Sequence, residues 1–111
     1  MKKIEAFIKP FALEAVRSAL LAEGIRCVTT ADAQEFNGDR PFSERFRGTE
    51  YVVDQTPRAL LVVLAPDDEA PQVVRVIRDA AQTGHPGDGR IIVTHAEEVV
   101  DLDAAVPVAH E

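Results

Sequence analysis

Tryptophan is absent from this chain of 111 residues, and aromatic side chains make up only 5% of it. The interior must therefore be built from Val, Leu, Ile and Ala, within a hydrophobic fraction of 46%. There is a single cysteine, Cys27. It excludes an internal disulfide and is no metal site by itself. With Ile25 and Val28 close by in sequence it reads as a buried, inert thiol, with redox sensing the lesser alternative. No apolar run approaches the roughly 20 residues of a membrane-spanning helix. The chain opens directly on strand-like alternation, without the apolar segment of a signal peptide, so the expectation is a cytoplasmic protein with no direct membrane insertion. Lys and Arg are missing from residues 97–111, which carry Glu97, Glu98, Asp101, Asp103 and Glu111. That segment holds most of the excess behind a formal net charge of −7. Nucleic-acid binding relies on Lys and Arg neutralising phosphates, so an acidic chain argues against nucleic acid as a partner. His85, His95 and His110 are scattered, without HxH or HExxH spacing, and no metal site is read from them. No Ser/His/Asp or Cys/His set is suggested, and no carboxylate stands in an apolar setting that would raise its pKa for acid–base work. An enzyme is a weak reading.

What is present is one domain, 1–111, whose size leaves no room for a second. Residues 2–9 alternate around Ile4, Ala6 and Ile8, which predicts a strand. Pro10 ends it and suits a helix start. From Phe11 to Glu23, Ala12, Ala15, Val16, Ala19 and Leu20 form one stripe of an amphipathic helix, and Gly24 stands where a left-handed stop is expected. Ile25–Phe36 reads as the second strand. The segment from Asn37 to Thr49 lacks periodicity and is too long for a tight hairpin turn. A loop of that length in a small domain is usually functional or disordered. Tyr51–Asp54 and then Arg58–Ala65 read as the third strand, in which the apolar run Leu60–Leu64 predicts burial on both faces, one under helices and one under a partner subunit. Pro66-Asp67-Asp68, with Glu69 in the first turn, signals the cap of a second helix. Its apolar stripe is Val73, Val74, Ile77, Ala80 and Ala81, and Thr83-Gly84 ends it. Arg90–Val93 is the fourth strand, Val99, Val100 and Leu102 are candidates to extend the fold, and the last eight residues or so read as a loose tail. The order β-α-β-loop-β-α-β is the split βαβ pattern. The expected fold class is α+β, ferredoxin-like, with a four-stranded antiparallel sheet, two helices on one face and a long loop between strands 2 and 3. The uncovered face predicts a homo-oligomer.

Three blocks carry chemistry: MKKIEAFIKPF (1–11), RGTEYVVD (47–54) and TGHPGDGRIIV (83–93). The third is a Gly-rich turn leading into a strand, a geometry that aims several backbone N–H groups at one point and suits a phosphate. A helix stop needs Gly84 alone; Gly87-Asp88-Gly89 before a basic strand start goes further and favours a phosphate or another anion.

In these blocks, and in their spacing, the chain resembles the PII signal-transduction family (nitrogen regulatory protein P-II) over roughly residues 1–100. The resemblance implies a homotrimer that binds an adenine nucleotide (ADP, AMP or ATP) in clefts between subunits. It implies control of a partner protein, such as a transporter or an enzyme, through a T-loop at about 37–54. Many members also bind 2-oxoglutarate with Mg-ATP. Carried over by position, the nucleotide-binding residues are Val28, Thr29, Leu64, Gly87, Asp88, Gly89 and Arg90. Arg58, in place of a Lys, is an anion-binding candidate together with Arg47, and Tyr51 takes the place of a residue uridylylated in some members; the bland alternative is an ordinary strand-start aromatic. The chain departs from the pattern at His85, at Val62, at Asn37, Gly38 and Asp39, and at Asp101 and Asp103, which stand where Arg often reaches phosphates of the neighbouring subunit. These departures point away from tight triphosphate binding and a 2-oxoglutarate response and towards ADP or AMP, with the role of Mg²⁺ open. A divergent sensor of bicarbonate or another small anion, linked to inorganic carbon or other transport, is the alternative. A ligand-free structural trimer and a metal-tolerance trimer of similar shape are weaker ones.

Overall fold

The computed structural model describes residues 1–36, 42–46, 49–53 and 55–103, with 42–46 and 49–53 described by their backbone. Its elements in chain order are β1 (Lys2–Ile8), a 3₁₀ turn (Pro10–Ala12), α1 (Leu13–Ala22), β2 (Thr29–Phe36), β3 (Phe42–Phe46), β4 (Thr49–Val53), β5 (Gln55–Ala65), α2 (Ala70–Ala81) and β6 (Gly89–His95). Four strands form one antiparallel sheet in the order β2-β5-β1-β6. This is the ferredoxin-like arrangement, with β1 and β5 central.

Alternation explains the two faces of the sheet. Ile4, Ala6 and Ile8 of β1 and Ala59, Leu61, Val63 and Ala65 of β5 are buried. They share one core with Val16 and Leu20 of α1 and Val73 and Ile77 of α2, so both helices cover the same face. The opposite face carries Lys3, Glu5 and Phe7, paired across to Leu64, Val62 and Leu60 of β5 and to Thr94, Ile92 and Arg90 of β6. Leu60–Leu64 is therefore not buried on both sides within a protomer: Leu61 and Val63 are enclosed, whereas Leu64 stays 41% exposed.

α1 begins after Pro10, whose missing N–H costs nothing in a first turn. It ends in a Schellman motif: the Ile25 amide donates to the Leu20 carbonyl, the Gly24 amide donates to that of Leu21, and Gly24 takes φ +83°. That motif and the residues after it delay β2 to Thr29, so the second strand is shorter than the predicted Ile25–Phe36. Cys27 in this connection is exposed, which corrects the expectation of a buried thiol.

α2 departs from the predicted cap. Its first turn has no side-chain cap, and Glu69 occupies the N-cap. Asp67 instead pairs with the Met1 amino group at 3.0 Å, tying the helix approach to the start of β1. The segment read as an irregular loop contains a second, two-stranded sheet of β3 and β4, in which Glu44 pairs with Tyr51. Tyr51 thus belongs to that hairpin and not to the central sheet. Asn37, Gly38, Asp39, Arg47 and Asp54 lie outside the described residues, as does the tail from 104. Val99, Val100 and Leu102 form no strand, although β6 is an edge strand, and Leu102 is 97% exposed.

Candidate functional site

The register of β1 with β6 builds the site. Ile8 faces Gly89 and Phe7 faces Arg90, so the turn 83–88 lies beside the end of β1, next to Lys9. The turn is braced from within. The Asp88 carboxylate accepts the Thr83 amide at 2.7 Å and the Thr83 hydroxyl at 2.5 Å, and it pairs with Lys9 Nζ at 3.2 Å. The Thr83 hydroxyl, its amide and Lys9 hold the Asp88 carboxyl well below the usual carboxylate range. Thr83 Oγ1 also accepts the His85 amide at 3.2 Å. The amides of Gly87 and Asp88 have no hydrogen-bond partner among the described residues. Asp88 is therefore committed to shaping the loop, while the backbone around it keeps donors to offer.

Two guanidinium groups converge on the same end of the sheet. Arg58, on central β5, is 7% exposed, and its Nη1 donates to the Gly87 carbonyl at 2.6 Å. Its Nη2 reaches Glu35 Oε1, on edge strand β2, at 3.4 Å. Arg90, on the opposite edge strand, is 58% exposed and lies over the Phe7 ring, 5.2 Å from its centroid, within cation–π reach. From there Nη1 comes within 3.2 Å of Glu35 Oε2. A carboxylate from one edge thus meets arginines from the centre and the other edge. A cleft of about 80 Å³ between them is lined by Phe7, Ala33, Gln34, Glu35, Arg58 and Arg90.

The structure gathers Gly87, Asp88, Gly89, Arg90 and Arg58 at this end. Val28, Thr29 and Leu64 lie elsewhere on the fold. Thr29 pairs with Val62 and Leu64 with Lys3, the latter five residues along β1 from Ile8, or about 17 Å. Val28, half-buried, lines a separate cleft beside α1 with Leu21 and Ile25. Within one protomer the two groups of candidates do not form one pocket. Of the remaining candidates, Arg47 lies outside the described residues and Tyr51 is placed by its backbone alone.

Three site residues were missed from the sequence: Lys9, Thr83 and Glu35. Lys9 becomes legible only once the β1–β6 register is fixed, whereas Thr83 acts within its own turn, five positions from Asp88. Glu35 is an acidic side chain in a strand otherwise read for its apolar start, and its partners lie 23 and 55 positions away.

The family profile described as nitrogen regulatory protein P-II matches residues 1–104. The chain is 46% identical over 102 residues to the nitrogen regulatory protein P-II of Rhizobium meliloti (strain 1021), an alignment covering 92% of this chain and 91% of that one. It is 43% identical over 102 residues to the protein of that name from Haemophilus influenzae, with the same coverage. Among solved structures it resembles that of Arabidopsis thaliana PII bound to citrate, with a TM-score of 0.73 and 29% identity, covering 91% of this chain and 81% of that one.

Proposed function

Given that the chain belongs to the nitrogen regulatory protein P-II family, a family of signalling regulators and not enzymes, we propose that it senses an adenine nucleotide, ADP, AMP or ATP, at clefts between the subunits of a homotrimer. Ligand binding would then control a partner protein, such as a transporter or an enzyme, through the segment 37–54. The convergence of Arg58, Arg90 and the open amides of Gly87 and Asp88 carries this reading. Backbone N–H groups and guanidinium forks are the donors that suit phosphate oxygens.

The open sheet face supports a trimer. Leu64 and Ile92 are 41% and 39% exposed on it, and apolar surface of this kind gains stability when a second subunit covers it. The signal is a population shift, which needs a ligand that binds one arrangement of the segment 37–54 better than another.

A second reading, bicarbonate or another small anion, is favoured by the size of the cleft. About 80 Å³ between Arg58 and Arg90 is well below the roughly 300 Å³ at which ordinary ligand pockets begin. It suits one planar oxyanion rather than a nucleotide, and one similar protein of known structure, Arabidopsis thaliana PII, was bound to citrate. Calorimetric titration with ATP, ADP and AMP, with and without Mg²⁺, 2-oxoglutarate and bicarbonate, separates the readings. The nucleotide reading expects ADP or AMP binding that is lost in Arg90→Ala. The anion reading expects a bicarbonate response that is lost in Arg58→Lys. A chain that binds nothing is a structural trimer.

A further inference from the structure

The two arginines on which the proposed ligand site rests already share an acidic group, and that group belongs to the chain. Glu35 Oε1 lies 3.4 Å from Arg58 Nη2 and Glu35 Oε2 lies 3.2 Å from Arg90 Nη1. One carboxylate thus stands between both guanidinium groups, where the oxygens of a bound anion would be expected.

Its geometry is imperfect in a telling way. Charge-assisted N–H···O bonds settle near 2.7–2.9 Å, and both Glu35 contacts are longer. Glu35 Oε2 is buried yet makes no hydrogen bond among the described residues, so its approach to Arg90 is an ion pair without bonding alignment. Arg58 Nε is a buried donor that also lacks a partner there. Buried polar groups are normally satisfied. An unmatched donor and an unmatched acceptor in one cluster mean that Glu35 holds the arginines without saturating them. Arg58 does not depend on Glu35 for its place, because it also donates to the Gly87 carbonyl at 2.6 Å.

We infer that Glu35 is a built-in competitor for the anion site: its carboxylate occupies Arg58 and Arg90 in the empty protein, and an incoming carboxylate, bicarbonate or phosphate group must displace it. This rests on the proposed ligand site at those arginines. Glu35 thereby sets the affinity and excludes weakly bound anions. It also links occupancy to the segment that follows. Glu35 pairs with Thr56 and Phe36 with Gln55 at the very end of β2, where the chain leaves for β3. Releasing the Glu35 side chain removes its cross-sheet ties to β5 and β6 from that strand end.

Calorimetry on the full chain tests this with ADP and with bicarbonate as probes, comparing wild type, Glu35→Gln and Glu35→Ala. The neutral Gln keeps the size of the side chain, the Ala variant removes it, and thermal melting checks that each is folded. Both variants should bind at least one probe about tenfold more tightly than wild type, the scale of removing one charge-assisted competitor. In wild type labelled with ¹³C at glutamate, the Glu35 carboxyl resonance should shift when that probe is added. A probe that binds wild type and both variants equally, with the Glu35 resonance unmoved, overturns the inference and leaves the ligand site standing. Binding in neither wild type nor the variants overturns the ligand site, and this inference with it. Binding in the variants alone supports both.

Discussion

Gly89 lies so close to the backbone of Phe7 that a Cβ built on it would fall 1.8 Å from the Phe7 carbonyl oxygen. Its φ of +115° is disfavoured for any other residue. Gly87 also has positive φ, but the nearest atom to its Cβ position is the flexible Lys9 Cε at 4.0 Å. The two glycines of one loop therefore have different duties. Gly89→Ala must push β6 away from β1 and should destabilise by about 3 kcal/mol or more. Gly87→Ala should cost only the backbone term, about 1–2 kcal/mol. Urea denaturation of the two variants checks this, and equal losses would refute it.

Acid should loosen the loop through Asp88. Its folded-state pKa is depressed, first by the Thr83 hydroxyl, then by the Thr83 amide and Lys9. A depressed carboxylate contributes stability that is present above its unfolded pKa of about 3.9 and is lost as pH falls towards the folded value. Asp88→Asn should therefore be less stable than wild type at neutral pH, with the difference shrinking below about pH 4. Denaturation midpoints of the two proteins across that range are the measurement. A gap that stays constant down to the lowest pH would refute the assignment.

The fold was largely legible because its signals are local. Alternation at Ile4, Ala6 and Ile8 and the stripes ending at Leu20 and Ala81 each need only a short window. Errors arose where a tertiary contact outweighed a local preference. Asp67 reads as a cap but pairs with the chain terminus. Cys27 has Ile25 and Val28 nearby in sequence, yet it adjoins Arg26 and follows a helix stop that leaves it at the surface. Phe42–Phe46 and Thr49–Val53 show no clean period, yet they pair through their backbones. The site was half legible for the same reason. Gly87, Gly89 and Arg90 announce the turn from local sequence alone. Glu35 becomes meaningful only when three strands are laid side by side.

Arg58 and Glu35 should be energetically coupled. Arg58→Met removes the donors to the Gly87 carbonyl and to Glu35 and leaves a half-buried carboxylate facing Arg90 alone. The loss should be about 1–3 kcal/mol. Glu35→Gln in the same chain should recover part of it, giving a coupling of about 1 kcal/mol in a double-mutant cycle from chemical denaturation. Strict additivity would mean that the 3.4 Å contact contributes nothing to stability.

Asp101 and Asp103 bear on nucleotide preference. Asp101 accepts the Asp103 amide at 3.0 Å, and both side chains are exposed. They follow β6, whose seven residues carry the chain from Gly89 to the other end of the sheet. An influence on a ligand at Arg58 and Arg90 is therefore expected from a neighbouring subunit of the proposed trimer. Replacing both by Arg should tighten ATP binding about tenfold or more, by exchanging repulsion for charge-assisted bonds. ADP should gain less and AMP least. Calorimetry with the three nucleotides checks the order, and an unchanged ATP affinity would remove these residues from the account.

Leu64 and Ile92 provide the test of assembly. Both project from the face opposite the helices, on strands that flank β1, and Leu64 pairs with Lys3 while Ile92 pairs with Glu5. The core under the helices does not use them, because Leu61, Val63 and the buried side of β1 already fill it. A charge at either position should therefore leave the protomer folded and oppose association through the cost of burying it. Sedimentation velocity should report a trimer for the native chain and a shift to monomer for Leu64→Asp and Ile92→Asp, with helical circular dichroism retained. If the proposed ligand site needs two subunits, the same variants should also lose ADP binding. Variants that stay trimeric would place the interface elsewhere, and a dissociated variant that still binds ADP would place the site within one protomer.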